Sequence, residues 1–414
     1  MKEIIVEKIE GFKITKLGWI PEDWNIKKVV QLGKVVTGGT PSTSVGNYWK
    51  DDFTWYTPTD ISNFGKYANL SKRQISKLGL ENSSATLFPK GTIMVCTRAT
   101  IGELAIASSE ACTNQGFKNL IVDQFNDTNF LYYVILNSKQ RLIRLSSGST
   151  FLELGTNDFR NVTLPVPPLP EQKAIANCLS TWDTAITKLD TLIKAKQQLK
   201  KALMQQLLSG EKRLPGFVGE WETNRFDYFL GYNPRPVEKP FEPFTKLGIR
   251  SHCKGTFQNN DFKPEDIAIT TLYLVEPDDL IVNITFAWEG AIAIVKDVDK
   301  GALVSHRFPT YTFKKDLSHV EYFRQFIQTK KFRFLLELIS PGGAGRNRVL
   351  SKKELNKLKI TIPSYEEQTA IAQVLNTADQ EIALLTTQRN QLQLQKKGLM
   401  QQLLTGKKRL RING

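Results

Sequence analysis

Thr40, Ser42 and Thr43 follow the Gly38–Gly39 pair on a short polar loop, where hydroxyls can stand clear of the backbone and hydrogen-bond outward. Arg98 and Thr100 lie at the tip of a β-rich run, Asn114 and Gln115 interrupt another, and Ser147, Ser149 and Thr150 belong to the loop SSGST. Guanidinium, amide and hydroxyl groups delivered on loops are the groups that pair with base edges, arginine suiting guanine and asparagine or glutamine suiting adenine. The second half offers a more cationic set: Arg250, His252, Lys254, His306 and Arg307, then Arg346, Asn347 and Arg348 in the glycine-rich loop PGGAGRNR. Glycine there lets the backbone approach a phosphate closely. Each set also has a plainer reading. Asn114–Gln115 fits a turn satisfying its own backbone, Arg98 a buried salt bridge, Pro341–Arg348 a solvated loop, and Trp288 a core aromatic more readily than a base wedge. Lys212–Arg213 and Lys407–Arg411 suit phosphates, and equally suit solvated helix ends with a favourable dipole.

Charge points the same way. Lysine and arginine number 56 against 41 aspartate and glutamate, and a net +15 favours a polyanion, because each neutralised phosphate releases a counterion. Catalytic parts are missing. The chain has no G-x-x-x-x-G-K-[ST] loop for a built-in motor and no N-P-P-[FY] tetrapeptide for holding a flipped adenine; Asn233-Pro234-Arg235-Pro236 lacks the second proline and the aromatic. Glu171-Gln172-Lys173 resembles a nuclease E-x-K, but its repeat counterpart reads Glu367-Gln368-Thr369, which points to helix capping and packing. An autonomous DNA enzyme is therefore disfavoured. A protein-only coiled-coil adaptor would leave the charge and the polar loops unexplained. Cys96, Cys112, Cys178 and Cys253, with His252, His306 and His319, have no metal-ligand spacing, so no metal and no disulfide framework is expected. No apolar run approaches a membrane span, and Glu3, Glu7 and Glu10 interrupt what a signal peptide would need, so a cytoplasmic protein is expected.

The elements that must position these residues come from an internal repeat. Residues 164–214 and 360–410 align without a gap at an offset of 196, with about half the positions identical. Each copy opens after prolines and closes on a glycine, Gly210 or Gly406, where a left-handed cap fits; Ser364 and Glu367 have capping-box spacing. Ile175, Leu179, Trp182, Ile186, Leu189, Ile193, Leu203 and Leu207 alternate steps of four and three, with Lys196 and Lys200 in the gap. Ile371, Leu375, Ala378, Ile382, Leu385, Leu392, Leu399 and Leu403 follow the same register, interrupted by Arg389 and Lys396. A sustained 3.5-residue period calls for a helical partner, and each copy is the obvious partner of the other, the alternatives being packing on its own globular domain or pairing between chains. The chain enters the second globular segment from one helix and leaves it into the other; if that segment's ends lie close together, as domain termini usually do, the helices are antiparallel.

The predicted organisation is a first recognition domain over residues 1–164, a central helix over 165–212, a second domain over 213–362 and a second central helix over 363–414. Both globular halves read as α+β, dominated by short strands and loops. LGWIPEDW, ending at Trp24, parallels LPGFVGEW, ending at Trp221; GTIMVCTRATIG parallels DDLIVNITFAWEG; and CTNQGF answers VSHRF. A helix follows near Thr128–Leu145 in one half and near Ser318–Ile339 in the other, the latter with Ser318 and Glu321 spaced as a capping box.

In order and in duplication, TGGTPSTSVGNYWKDDFTWYTPTDIS, RATIGELAIA, NQGF, PPLPEQKAIA, GIRSHCKGTF, SHRF and EEQTAIA resemble the specificity subunits of type I restriction-modification systems over almost the whole chain. The resemblance implies two α/β target-recognition domains separated by two long antiparallel coiled-coil helices with a pseudo-twofold repeat. It implies a non-catalytic reader of double-stranded DNA with two adenine-methylating modification subunits and motor-nuclease restriction subunits as partners. The chain itself would carry no cofactor: S-adenosylmethionine would belong to the modification subunit, and ATP and magnesium to the restriction subunit. Symmetric dimeric readers take palindromes. A duplicated chain with diverged halves should read two different short sequences flanking an unread spacer, whose length the helix pair would set. The second half lacks an NQGF, so contacts do not transfer residue by residue between halves.

Overall fold

The computed structural model describes residues 9–62, 64–148, 152–340 and 348–411. It divides into two compact units, Met1–Lys188 with Gln388–Gly414, and Leu189–Thr387. Two helices of 39 residues, Leu169–Leu207 and Tyr365–Leu403, each contribute to both units. At 1.5 Å per residue each is about 58 Å long. Pro170 occupies the first turn of one, where a missing N–H costs nothing, and Ser364 Oγ accepts from Glu367 N at 3.4 Å in the other. Gly210 and Gly406, at φ +77° and +71°, turn the chain out of the helices.

The two units share one strand plan. In the first, a five-stranded sheet runs Gly33–Thr37, Phe117–Val122, Ile93–Cys96, Leu104–Ala107 and Tyr67–Ala68, antiparallel up to its last, parallel pairing. In the second, a four-stranded antiparallel sheet runs Leu230–Tyr232, Thr310–Phe313, Leu280–Val282 and Ile292–Ile294. Each unit also pairs an early strand with the strand before a long helix: Asn25–Lys28 with Thr163–Val166, and Glu222–Arg225 with Lys359–Ile362. The duplication therefore extends through the globular parts, although sequence identity there has gone. All of Ile93–Cys96 is buried, Ile93 and Val95 packing with Phe130, Ile175 and Leu179, and Met94 and Cys96 with Tyr56, Phe88 and Phe117. A strand covered on both faces reads as a continuous apolar run.

Within each unit the long helices run antiparallel. In the first, Lys396 reaches Asp183, and in the second, Lys200 Nζ lies 2.7 Å from both oxygens of Asp379. These pairs are the same pair once the 196-residue offset is applied. The lysines that interrupt the apolar seam thus meet aspartates across it, and Lys196 adds a 2.6 Å contact to Glu381. None of the seam residues named above is exposed, whereas Leu192, Leu199, Leu384 and Leu394 off the seam are. Full burial comes where the helices also pack on a globular part: Ile175, Leu179 and Leu403 in one unit, Leu207, Ile371 and Leu375 in the other.

Each of the two expected domain helices is broken into two. The expected Thr128–Leu145 helix breaks at Ser138 into Thr128–Asn137 and Lys139–Leu145, and the Ser318–Ile339 helix into Val320–Phe326 and Lys330–Leu338. Ser318 is not a cap: its hydroxyl donates to Phe229 O at 2.8 Å, and Glu321 turns to Arg324 and Asn376.

Lys66 is held where the first globular part meets its helix pair. Its ammonium donates to Ser180 Oγ at 2.8 Å and Tyr133 Oη at 3.2 Å and lies 4.4 Å from the Tyr133 ring centroid. Burial pulls its pKa from 10.5 down to about 8, against the Asp183 and Asp127 carboxylates and with the help of Lys396. Between those values the unfolded chain binds the extra proton, so stability rises with pH across that window. Relative to Lys66→Met, the parent chain should gain stability from pH 8 to 10.5 in thermal melts; a difference independent of pH would mean that Lys66 titrates alike in both states.

Candidate nucleic-acid interface

In the first unit the polar loops are pinned by backbone contacts. Gly39 N donates to Thr113 O at 2.8 Å, and the buried Trp55 Nε1 donates to Gly39 O at 2.9 Å. This sets Thr40 so that its hydroxyl donates to Gln115 Oε1 at 2.6 Å, while Ser42 and Thr43 stay exposed beyond it. Asn114 Oδ1 accepts from Gly116 N at 2.9 Å, so this side chain shapes a turn and leaves Gln115 facing out. Arg98, 51% exposed, pairs with Glu153 at 2.7 Å, and Lys118 approaches the same carboxylate at 3.6 Å. Burial pushes the Glu153 carboxyl up, but the two cations hold it below its usual range. Ser147 exchanges two 3.0 Å backbone hydrogen bonds with Glu153. The Thr100 hydroxyl is enclosed beside the buried Cys96 thiol, which removes it from the solvent-facing set. Ser149 and Thr150 lie outside the described residues.

In the second unit His252, Arg307 and Arg348 each contact residues 285–289. His252 and Cys253, both at positive φ, donate their backbone N–H groups to Glu289 O and Gly290 O at 2.8 Å. Arg250 donates to Thr256 O at 2.9 Å with its guanidinium 5.2 Å from the Phe257 ring centroid; Lys254 is exposed. Arg307 reaches Thr285 Oγ1 at 3.3 Å, and His306 lines a recess with Tyr232, Pro234, Tyr273 and Phe308. The Arg348 guanidinium lies over the half-buried Trp288 ring, 5.3 Å from its centroid, and 3.5 Å from Glu337. Arg346 and Asn347 fall outside the described residues.

One backbone device organises both sets. Thr97 N donates to Gly116 O at 2.7 Å and Thr97 O accepts from Leu154 N at 3.0 Å; Ile284 N donates to Arg307 O at 3.0 Å and Ile284 O accepts from Leu350 N at 2.8 Å. The loop after the central strand is therefore held, in both units, between the loop before the next long strand and the segment following the helices. Thr97 and Ile284 share no side-chain chemistry, and main-chain bonding leaves no mark on residue type.

Three features were missed or misread in the sequence. Arg213 and Arg409 are not free for phosphates: each forks onto a buried carboxylate, Glu367 at 2.5 Å and Glu171 at 2.5–2.7 Å, to which Trp221 and Trp24 also donate. Gln172 and Gln368, the residues beside those glutamates, accept from Asp127 N and His319 N at 2.8 and 2.9 Å and so fasten each helix start to its domain. Arg73, exposed, lies over the Trp49 ring at 4.2 Å. Matching offsets at Arg213 and Arg409 were visible in the repeat; for Arg73 no local signal exists.

Among the described residues no group of three His, Cys, Asp or Glu is placed to hold a metal ion, and no helix is long and apolar enough to cross a membrane. Residues 21–200 and 253–394 match the type I restriction modification DNA specificity domain. The type I restriction enzyme MjaIX specificity subunit of Methanocaldococcus jannaschii is 40% identical over 178 residues, 42% of this chain and 41% of that one. The MjaVIII specificity subunit of the same organism is 23% identical over 98% of this chain and 97% of its own length. The crystal structure of a type I restriction-modification S subunit from M. genitalium superposes with a TM-score of 0.56 at 16% identity, covering 97% of this chain and 99% of that one. That last likeness speaks for the fold alone.

Proposed function

This chain belongs to the type I restriction modification DNA specificity family, and on that footing we propose that it is the non-catalytic reader of double-stranded DNA in a type I restriction-modification complex. Each unit reads one short sequence, so the target is asymmetric and split by unread bases. The loops around Thr40, Gln115, Arg98 and Ser147 read one part; those around Arg250, His252, Lys254, His306, Arg307 and Arg348 read the other. Ser149, Thr150, Arg346 and Asn347 belong to the same two sets. Two modification subunits, carrying S-adenosylmethionine, and the restriction subunits, carrying ATP and magnesium, assemble with it. The observation that carries this reading is one backbone device presenting two unlike sets of side chains. Equal scaffolds with different readers suit a bipartite, non-palindromic site.

The test is a map of methylated adenines in DNA from cells carrying the chain with its modification partner. A split, asymmetric motif is expected, together with no methylation by the purified chain alone. A continuous palindrome, or turnover by the isolated chain, would refute the proposal.

A further inference from the structure

Arg73 has a setting that no other arginine of the first unit shares among the described residues. It opens the strand Arg73–Ile75, on the same rung as Trp55 and Cys112 of the sheet Ala111–Thr113, Phe53–Tyr56, Arg73–Ile75. That end of the sheet is the one from which the chain runs into Asn114 and Gln115. The guanidinium carbon lies 4.2 Å from the Trp49 ring centroid and 5.9 Å from that of Trp55, and the two indoles meet edge to face at 5.1 Å. Both indoles brace the polar loop, Trp49 Nε1 donating to Ser42 O at 3.1 Å and Trp55 Nε1 to Gly39 O at 2.9 Å. Arginine, indoles and loop form one assembly.

Stacking occupies the face of a guanidinium and leaves its edge donors free in a fixed fork. Arg98 has Glu153 against its charge, whereas none of the ion pairs among the described residues involves Arg73. A fork held rigid before contact loses little freedom on binding, and its spacing matches the N7 and O6 acceptors of guanine in the major groove. We propose that Arg73 reads a guanine in the half-site of the first unit, with Trp49 as its positioning residue. This rests on the DNA-reading function proposed above.

The test compares methylation motifs of the parent chain, Arg73→Lys and Arg73→Gln, each co-expressed with the modification partner. Lysine keeps the charge without the fork; glutamine offers an amide edge. Both variants should lose the preference for guanine at one position by roughly tenfold to a hundredfold. The other half-site should stay unchanged, which also reports that the chain is folded. Trp49→Ala should blur the same position. A uniform drop in methylation with guanine still required would mean a phosphate contact and overturn the assignment. An unchanged motif in both variants would overturn it too. If the parent chain itself gave no split motif, the failure would lie with the DNA-reading proposal instead.

Discussion

Replacing Arg409 by alanine should lower the stability of the first unit by on the order of 3 kcal/mol, which moves its melting temperature down by roughly 6–12 °C. Glu171 is 1% exposed, and its carboxylate is satisfied by Arg409 at 2.5 and 2.7 Å and by Trp24 Nε1 at 3.1 Å. Without the guanidinium, a buried charge keeps one neutral donor. The cost of stranding it exceeds anything the ion pair contributes in net terms, because desolvation has already been incurred on folding. Arg409 is 43% exposed and also holds Asp23 at 2.9 Å, so water will reach the vacated position and keep the loss near the lower end of the buried-pair range. The double variant Glu171→Met with Arg409→Met should recover most of it, since apolar side chains of similar volume need no partner. A melting shift under about 2 °C for Arg409→Ala would mean that the carboxylate is not buried as described. Arg213→Ala should act in the same direction on the second unit through Glu367.

The Arg409 case also marks what the sequence made legible. The helices and their seam were visible because period and identity are local properties of the residues, and the repeat carried them at a fixed offset. The clamp was not visible, because Trp24, Glu171 and Arg409 are far apart in the chain and each is ordinary in its own surroundings. The candidate DNA-reading residues behave the same way. Arg98 and Asn114 were recognisable as polar groups on loops; that one faces Glu153 and the other turns back to Gly116 N depends on neighbours that only the fold supplies. Ser318 is the opposite failure. Its spacing to Glu321 satisfies a local rule, but the hydroxyl is buried beside Phe229 O, and burial decides.

The sharpest effect on recognition is expected from one methyl group. A Cβ on Gly38 would lie 1.9 Å from Asn114 O, 2.3 Å from Thr113 O and 2.4 Å from Thr113 Oγ1. Real contacts need more than 3 Å, and two of these three atoms are backbone, so the loop must retreat by about 1 Å or more. Retreat breaks the 2.8 Å bond from Gly39 N to Thr113 O and carries Thr40 away from Gln115. Overpacking of this kind costs about 1–3 kcal/mol, which a unit with this core survives. Recognition is less tolerant, because displacing a positioned group by 1 Å costs on the order of a hundredfold. Gly38→Ala should therefore lower methylation of the parent motif about a hundredfold while the chain remains folded. Gly46, in the polar stretch that follows, has open space around its Cβ position, and Gly46→Ala should leave both methylation and melting almost unchanged. Equal behaviour of the two variants would show that the Gly38 loop is not wedged against Thr113 and Asn114, and would remove the loop from the reading surface. A hundredfold loss confined to Gly38→Ala would tie target reading to that wedge, since neither substitution adds or removes a hydrogen-bonding side chain.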